Sequence, residues 1–405
     1  MNLKIALAGL LYEKSSGDRL LIECTKYLCR KKFGNDIKFS EIDFYGRKKI
    51  PEYNQNKNNS IKPVNASAET KILNFASRYN INYIKNVIYS RQYNKFLNSD
   101  GTKIYMKKYF DEQLENVDII IFLGGGTIKY DVRVDFGKYY RRIANAAKEK
   151  NIPIVVFCAG IESKYNSYDG RCMFFSKTLS DDIFKIISTR DDINELRKYV
   201  KNPKTEISKV ADIGVWSSDT YNIKRKNTNK IGIGIIVADR FTEFGKNISK
   251  DLYDYVMVDT IKKLEERGDI VEIFNNGDPQ DRIYAEHISE LAGKSAIDVK
   301  TANSPEELVN ILSNYKGIIS SRLHSCIPSY SLDIPFIAIS WNNKLQYFAD
   351  NIGVPERVIN FNDFNSNTII KKFDKALNEK YDTKFRDEYK KSDLLFLDNC
   401  LKYIR

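Results

Sequence analysis

The sequence has few of the residues that build structural metal sites. Among its 405 residues there are six cysteines, none in a Cys-x-x-Cys spacing, and only two histidines, His287 and His324. A structural zinc site needs four such ligands close together, so this class of site is disfavoured. Several of the cysteines lie in apolar runs, as reduced cysteines of a protein core do. This pattern favours a reducing, cytoplasmic setting.

Long apolar runs are also missing. No stretch approaches the roughly 18 consecutive apolar residues that a transmembrane helix needs. The N-terminal run from Leu3 to Leu11 is followed directly by Glu13 and Lys14, and no small-residue cleavage site appears. We therefore interpret this run as a first β-strand and not as a signal peptide. We expect a protein without a membrane span, which leaves open a peripheral place at the inner face of the cell membrane.

A dense basic block is the third absence. The net charge is +12, but the basic residues are scattered among acidic ones and no RNA-binding signature is present. This excess favours an anionic partner, such as a phosphorylated substrate or an anionic membrane surface, and disfavours nucleic acid. Apolar residues make up 42% of the chain, which is typical of a globular protein.

The known glycine fingerprints for nucleotides are incomplete. Gly232-x-Gly234 lacks a third glycine, and Gly293-Lys294-Ser295 lacks the earlier glycine of a P-loop, which is replaced by Ile288. The turn Gly124-Gly125-Gly126 follows a strong apolar strand instead. Glycines there serve either a tight turn or the close approach of a ligand to the backbone, and the sequence leaves both readings open.

Strands and helices alternate along the whole chain, a pattern that predicts α/β domains with parallel, doubly wound (Rossmann-like) sheets facing a cleft. We place an N-terminal domain at residues 1–213, with an insertion or mobile cover at about 51–111. A polar, basic linker at 214–230 leads to a C-terminal domain at 231–405. The last helix of that domain is a candidate to pack back on the first.

The most informative segment is Ser321-Arg322-Leu323-His324. It follows the apolar run Gly317–Ile319 and precedes a helix, while Ser304 with Pro305 marks the start of the helix before it. The free N–H groups and positive dipole end of a helix favour an anion at such a junction. Arginine adds a planar fork for carboxylate or phosphate, and histidine adds a mobile proton. The segment therefore predicts an anion site that contains an acid.

Two further segments lie between a strand and a helix. Asp18, after Gly17, either caps the first helix or faces a ligand. Arg190, before Asp191, is either a surface charge or a second ligand for the same anion as Arg322. The residues alone leave both alternatives open.

Together these segments resemble the polysaccharide pyruvyl transferase family. The resemblance runs in order through Gly17-Asp18, the turn Gly124 to Gly126, Arg190-Asp191, Ser321 to His324, and the block from Asn343 to Ala349. The last two blocks are the specific ones. The family resembles two-domain glycosyltransferases of the B type in fold, which implies the same fold here. Its members transfer the enolpyruvyl group of phosphoenolpyruvate onto two sugar hydroxyls as a cyclic ketal.

The resemblance also implies that the N-terminal domain, 1–213, is the acceptor side and the C-terminal domain, 231–405, the donor side, and it implies roles for individual residues. His324 corresponds to the catalytic acid, and Arg322 and Arg190 to donor-binding arginines, with Ser321 and Leu323 beside them. Asp18, the glycine turn, Asp131 and Glu162 are candidates on the acceptor side. The acceptor is expected to be a sugar of a cell-surface polysaccharide, such as an exopolysaccharide or capsule, or of its lipid-linked precursor. The scheme needs no metal or cofactor.

Two alternatives remain at this stage. One is a nucleotide-sugar-dependent glycosyltransferase of the same fold, although the Glu-x₇-Glu pair frequent in its retaining members is absent from the second half. The other is a non-catalytic sugar- or anion-binding protein, which would tolerate the loss of His324.

Overall fold

Parallel strands and helices alternate in a computed structural model, which describes residues 3–51, 72–73, 75–76, 79, 81–98, 100–131, 134–243 and 248–404. The chain divides into two compact units. The first contains Met1–Tyr12, Cys29–Val210 and Leu395–Arg405, and the second contains Glu13–Leu28 and Ala211–Leu394. Each unit is built around its own parallel sheet, as the alternation of apolar strands and amphipathic helices predicts. No helix of the described ranges has the length and apolar character that crossing a membrane requires.

The first unit has a seven-stranded sheet in the order β2-β1-β3-β5-β6-β7, with β4 paired to β5. Its strands are β1 (Lys4–Gly9), β2 (Lys38–Asp43), β3 (Ile119–Phe122), β4 (Gly125–Ile128), β5 (Ile154–Ile161), β6 (Phe184–Thr189) and β7 (Glu206–Lys209). Helix α1 (Ser16–Phe33) belongs to both units; the helices within the first are α2 (Asn82–Asn98), α3 (Asp100–Gln113), α4 (Gly137–Glu149), α5 (Gly170–Leu179) and α6 (Ile193–Tyr199).

The second unit has a six-stranded sheet in the order β10-β9-β8-β11-β12-β13. Its strands are β8 (Lys230–Gly234), β9 (Ile270–Asn275), β10 (Lys300–Thr301), β11 (Gly317–Ser320), β12 (Phe336–Ile339) and β13 (Val358–Ile359). The helices are α7 (Ser217–Tyr221), α8 (Asp239–Glu243), α9 (Lys250–Glu266), α10 (Pro279–Leu291), α11 (Pro305–Ser313), α12 (Leu323–Ser331), α13 (Asn343–Asn351), α14 (Ser366–Asn378) and α15 (Thr383–Cys400), whose last turns lie in the first unit.

The central strands are apolar on both faces, as strands between two layers of helices must be. Every residue of β3 and of β12 is buried. Helix α11 begins where the sequence predicts: Oγ of Ser304 accepts a hydrogen bond from the backbone N–H of Glu307 at 3.1 Å. The predicted α/β class with two parallel, doubly wound sheets is confirmed.

The two units differ in detail from the predicted domain limits. The second unit begins again at Ala211 and also includes residues 13–28. The predicted linker contains a 3₁₀ turn, Ile213–Trp216, and α7, because Trp216 is buried and donates a hydrogen bond from Nε1 to Asp393 at 2.8 Å. At the end of the chain, Phe396 stacks on Phe157 inside the first unit, with ring centroids 4.5 Å apart.

The predicted insertion at 51–111 lies partly outside the described residues. Its described part forms α2 and most of α3, and α3 packs into the core of the first unit through Met106, Tyr109 and Phe110. The hydroxyl of Tyr109 also accepts a hydrogen bond from the backbone N–H of Asp43 at 2.8 Å. Helix α3 is therefore an integral layer of this unit and not a mobile cover.

Candidate functional site

The segment around Arg322 lies at the point where the strand order of the second sheet reverses. Strands β8 and β11 are neighbours in space but are separated in sequence by β9 and β10. In such sheets the loops after the two central strands diverge and leave a crevice at their carboxyl ends, where ligands bind. Arg322 lies two residues after the end of β11 and is the residue before the first turn of α12.

Local chemistry fixes the backbone at the start of α12. Arg322 has an extended conformation, and its N–H donates to Oγ of Ser320 at 3.2 Å. His324 lies inside the helix with non-helical angles, φ −78° and ψ 19°. Pro328, four residues later, cannot donate to the carbonyl of His324, and its ring would clash with that carbonyl. The proline thus explains why the backbone departs from a regular helix at His324.

His324 faces Asp18, which lies in the first turn of α1. Nδ1 of His324 is 3.4 Å from Oδ1 of Asp18. Gly17 makes this approach possible, because a Cβ there would overlap the Cβ of His324. Burial acts to raise the pKa of Asp18, but contact with His324 and the charges of Arg322 and Lys344 lower it to about 2. Asp18 is therefore an anion at neutral pH, and its carboxylate lies beside one ring nitrogen of His324.

Arg322 is held in place by a buried carboxylate on α10. Its Nε donates to Oδ2 of Asp281 at 2.6 Å, and Asp281 has no exposed surface. The other oxygen of Asp281 accepts the backbone N–H of Val237, after β8, at 3.1 Å. Burial acts to lower the pKa of Arg322, but Asp281, Asp278 and Asp18 raise it above its ordinary value. Arg322 is therefore a permanent cation whose guanidinium is oriented by the fold.

Asn276 adds an oriented amide to the same region. It follows β9, and its Oδ1 accepts the hydroxyl hydrogen of Ser325 at 2.8 Å. Its backbone carbonyl accepts the N–H of Ser16, at the start of α1, at 2.8 Å. Nδ2 of Asn276 and Nε2 of His324 are both buried, and neither has a hydrogen-bond partner among the described residues. Buried polar atoms are normally paired, so two orphans in one region indicate a site for a polar ligand.

A second group of predicted residues lies in the first unit, at the carboxyl ends of β4, β5 and β6. The Glu162 carboxylate lies over Gly126, where a Cβ would overlap it, and Lys129 is 3.3 Å from Glu162 and 3.4 Å from Asp131. The backbone of Gly125 and the buried guanidinium of Arg190 both pack against Gly160. Gly124 packs closely against the backbone carbonyl of Cys158, which leaves no room for a Cβ. The structure thus gathers Arg190, Asp131, Glu162 and the glycine turn at one sheet edge.

Sequence reasoning grouped Asp18 with the acceptor-side residues, whereas the structure places it beside His324 in the second unit, with Ser321, Arg322 and Leu323 nearby in the chain. It missed Asp281 and Asn276. Asp281 follows the Asp278-Pro279 helix start, which draws attention to the cap and not to the residue after it. Asn276 lies in an Asn-Asn-Gly turn directly after a strand, and this turn was the available signal.

Comparisons with solved structures show the fold. UDP-GlcNAc 2-epimerase from Methanocaldococcus jannaschii superposes with a TM-score of 0.55 at 14% identity, covering 99% of this chain and 100% of the other. The S. aureus MnaA–UDP structure gives 0.52 at 10% identity, with coverages of 99% and 96%. The glycotransferase of kitacinnamycin gives 0.51 at 9% identity, with coverages of 99% and 99%. The predicted glycosyltransferase-B-like fold is confirmed. No curated protein sequence matches the chain significantly.

The family comparison reaches further than fold. The sequence model described as polysaccharide pyruvyl transferase matches residues 16–343, which is most of the chain. The matched region begins at the first residue of α1, beside Asp18, and ends at the first residue of α13, so it contains Asn276, Asp281 and His324. The chain is therefore a transferase, and it belongs to the polysaccharide pyruvyl transferase family.

Proposed function

We propose that this protein transfers the enolpyruvyl group of phosphoenolpyruvate onto two hydroxyls of a sugar in a cell-surface polysaccharide or its precursor, and closes a cyclic ketal. The observation that carries the proposal is the environment of the two ring nitrogens of His324. One ring nitrogen faces the Asp18 carboxylate, and the other is buried without a hydrogen-bond partner in the described part of the chain. This arrangement suits a general acid, because the carboxylate stabilises the imidazolium while Nε2 carries the proton to be delivered.

The donor has two anionic groups, a carboxylate and a phosphate. We assign Arg322 to one of them, since its guanidinium is fixed by Asp281 and can bind an anion without further ordering. The first N–H groups of α12 and the Nδ2 amide of Asn276 are further donors in the same region. Arg190, from the first unit, is proposed to bind the same donor, as the family resemblance implies.

The reaction then follows from proton transfer. His324 gives a proton to the methylene carbon of phosphoenolpyruvate, and C2 becomes electrophilic. A sugar hydroxyl oxygen bonds to C2 and returns a proton to His324. The bond from C2 to the phosphate oxygen breaks, and the second hydroxyl bonds to C2. Its proton leaves with the phosphate, so the products are one methyl-bearing cyclic ketal and one inorganic phosphate. This scheme uses no metal and no cofactor.

The acceptor side of the proposal rests on the first unit. Glu162 and Asp131 lie on either side of Lys129 beside the glycine turn, and carboxylates of this kind can accept hydrogen bonds from sugar hydroxyls. We further propose a lipid-linked acceptor met at the inner, anionic face of the membrane, because the net charge is +12. Co-sedimentation with anionic vesicles tests this part, and equal failure to bind at low and physiological salt would contradict it.

The test of the central proposal separates binding from chemistry in His324→Ala. We expect calorimetry to give an affinity for phosphoenolpyruvate within several-fold of the unaltered protein. Single-turnover phosphate release with a suitable galactoside acceptor should fall by about 10²–10⁴, the contribution of a positioned acid. His287→Ala is the matched control, since His287 instead contacts Asp254 on α9. Near-normal turnover in His324→Ala would end the assignment of His324 as the acid.

A further inference from the structure

The first unit contains a cavity that none of the candidate active-site residues lines. It lies between α2, α3 and α4 and has a volume of about 310 Å³. One wall is apolar and is formed mainly by Phe96, Met106, Phe110 and Ala146. The other is polar and carries both charges: Lys107, Arg142 and Lys150 together with Asp111 and Glu149. The volume is at the lower end of the range of small-molecule sites.

Two cations of α4, Arg142 and Lys138, are one helical turn apart, and only Arg142 of the two lines the cavity. Each lies against the same two rings, Phe96 and Tyr139, at 4.6–5.4 Å from the ring centroids. Within the described parts of the chain Arg142 forms no ion pair, whereas the charge of Lys138 acts on the nearby carboxyl of Asp135. Most basic side chains of this unit that are as well covered do have a carboxylate partner; Arg141 and Arg171, for example, pair with Asp181 and Asp169.

Arg142 is the more informative of the two. One Nη donates to the carbonyl of Phe44 at 2.8 Å, which fixes the guanidinium. Its Nε is buried and has no partner in the described residues, although Arg142 lines the cavity. A buried N–H without an acceptor is costly, and an anionic ligand would supply both that acceptor and a counter-charge.

We propose that this cavity binds an amphipathic anion: a phosphate group held by Arg142, with an apolar chain lying along Phe96, Met106 and Phe110. The guanidinium of Arg142 binds the phosphate, and the apolar wall binds the chain. Lys150 and Lys107 do not compete for this role, because both are already close to Asp111, at 3.0 and 3.5 Å. The proposal stands independently of the transferase reaction, since the cavity shares no residue with the candidate active site.

Calorimetry with dodecyl phosphate, below the concentration at which it forms micelles, tests this site. Arg142→Gln should weaken binding about tenfold or more, the usual effect of losing a hydrogen bond to a charged group. Ala146→Phe should weaken it comparably by filling the cavity while the charge stays. Arg197→Gln is the matched control, because Arg197 is exposed on α6 and hydrogen-bonds only to Asn194. The control should bind like the unaltered protein.

Inorganic phosphate and phosphoenolpyruvate test which part of the ligand the cavity recognises. Inorganic phosphate should bind at least tenfold more weakly than dodecyl phosphate; equal affinity would overturn the amphipathic part of the proposal. Saturating phosphoenolpyruvate should leave dodecyl phosphate binding unchanged, and competition would place the probe in the donor site instead. Thermal unfolding confirms that each variant is folded. Unchanged affinity in Arg142→Gln would overturn the proposal. If that variant does not fold, Ala146→Phe decides the matter, and unchanged affinity in it would overturn the proposal as well.

Discussion

At the scale of single residues, the pair Arg322–Asp281 couples ligand binding to stability. Asp281 has no exposed surface, and 20% of the Arg322 side chain is exposed. The guanidinium of Arg322 compensates the charge of the buried Asp281 carboxylate, so the removal of Arg322 leaves that carboxylate without a counter-ion. Burial acts to raise the pKa of Asp281, and the charge of Arg322 opposes that shift. A variant at Arg322 is therefore expected to lower the stability of the protein as well as to alter the proposed donor site.

We predict that Arg322→Ala lowers the free energy of unfolding by about 3–5 kcal/mol, the cost of an uncompensated buried charge. Arg322→Ala combined with Asp281→Asn should recover part of this stability and none of the affinity for phosphoenolpyruvate. Urea unfolding and calorimetry measure the two quantities. Arg225→Ala is the control, because Arg225 is exposed and its guanidinium donates to backbone carbonyls, those of Asp333 and Lys316. A loss below 1 kcal/mol in Arg322→Ala would contradict this account.

At the scale of elements, the start of α1 and the start of α12 meet at one contact. Gly17 lies in the first turn of α1, where its Cα faces the Cβ of His324. Alanine is the better helix former by about 1 kcal/mol, so helix propensity alone would make Gly17→Ala stabilising. The added methyl group would overlap the Cβ of His324, however. Neither atom can rotate away, because the backbone fixes the position of a Cβ.

We predict that Gly17→Ala is destabilising, by about 1–3 kcal/mol as for other overpacked sites, and that turnover falls more than donor affinity because His324 moves. Thermal unfolding and single-turnover rates measure the two effects. Ser15→Ala, two residues earlier, adds no atoms and should leave both unchanged. A Gly17→Ala variant that is more stable and fully active would show that the two helices can separate without cost.

The elements also show how far sequence reasoning reaches. The strand ends, the cap at Ser304 and the position of Arg322 were predictable, because each depends on neighbours within a few residues. The contact of Asp18 with His324 was not, since it joins distant parts of the chain and depends on which unit residues 13–28 join. Asp281 was missed for the same reason: its cap pattern is local, but its burial against Arg322 is not.

At the scale of the whole molecule, one fold serves different ligands. The solved structures that share this fold include UDP-GlcNAc 2-epimerases and a glycotransferase. Identities of 9–14% with them say nothing about the ligand of this chain, because function depends on the site and not on the fold. Our proposal of phosphoenolpyruvate over a nucleotide sugar therefore rests on the site residues and on the family, and not on the fold.

The last prediction follows from that contrast. A ligand that binds only the folded protein stabilises it, by about 2.7 kcal/mol at a hundred times its dissociation constant. In units of this size, 1 kcal/mol of stabilisation raises the midpoint of thermal unfolding by about 2–4 °C. We therefore expect phosphoenolpyruvate at that concentration to raise the midpoint by more than this. UDP-GlcNAc should leave the midpoint unchanged. His324→Ala should keep the shift, whereas Arg322→Lys should reduce it, since an ammonium cannot reproduce the planar fork of a guanidinium. A clear shift with UDP-GlcNAc and none with phosphoenolpyruvate would favour a nucleotide-sugar enzyme instead.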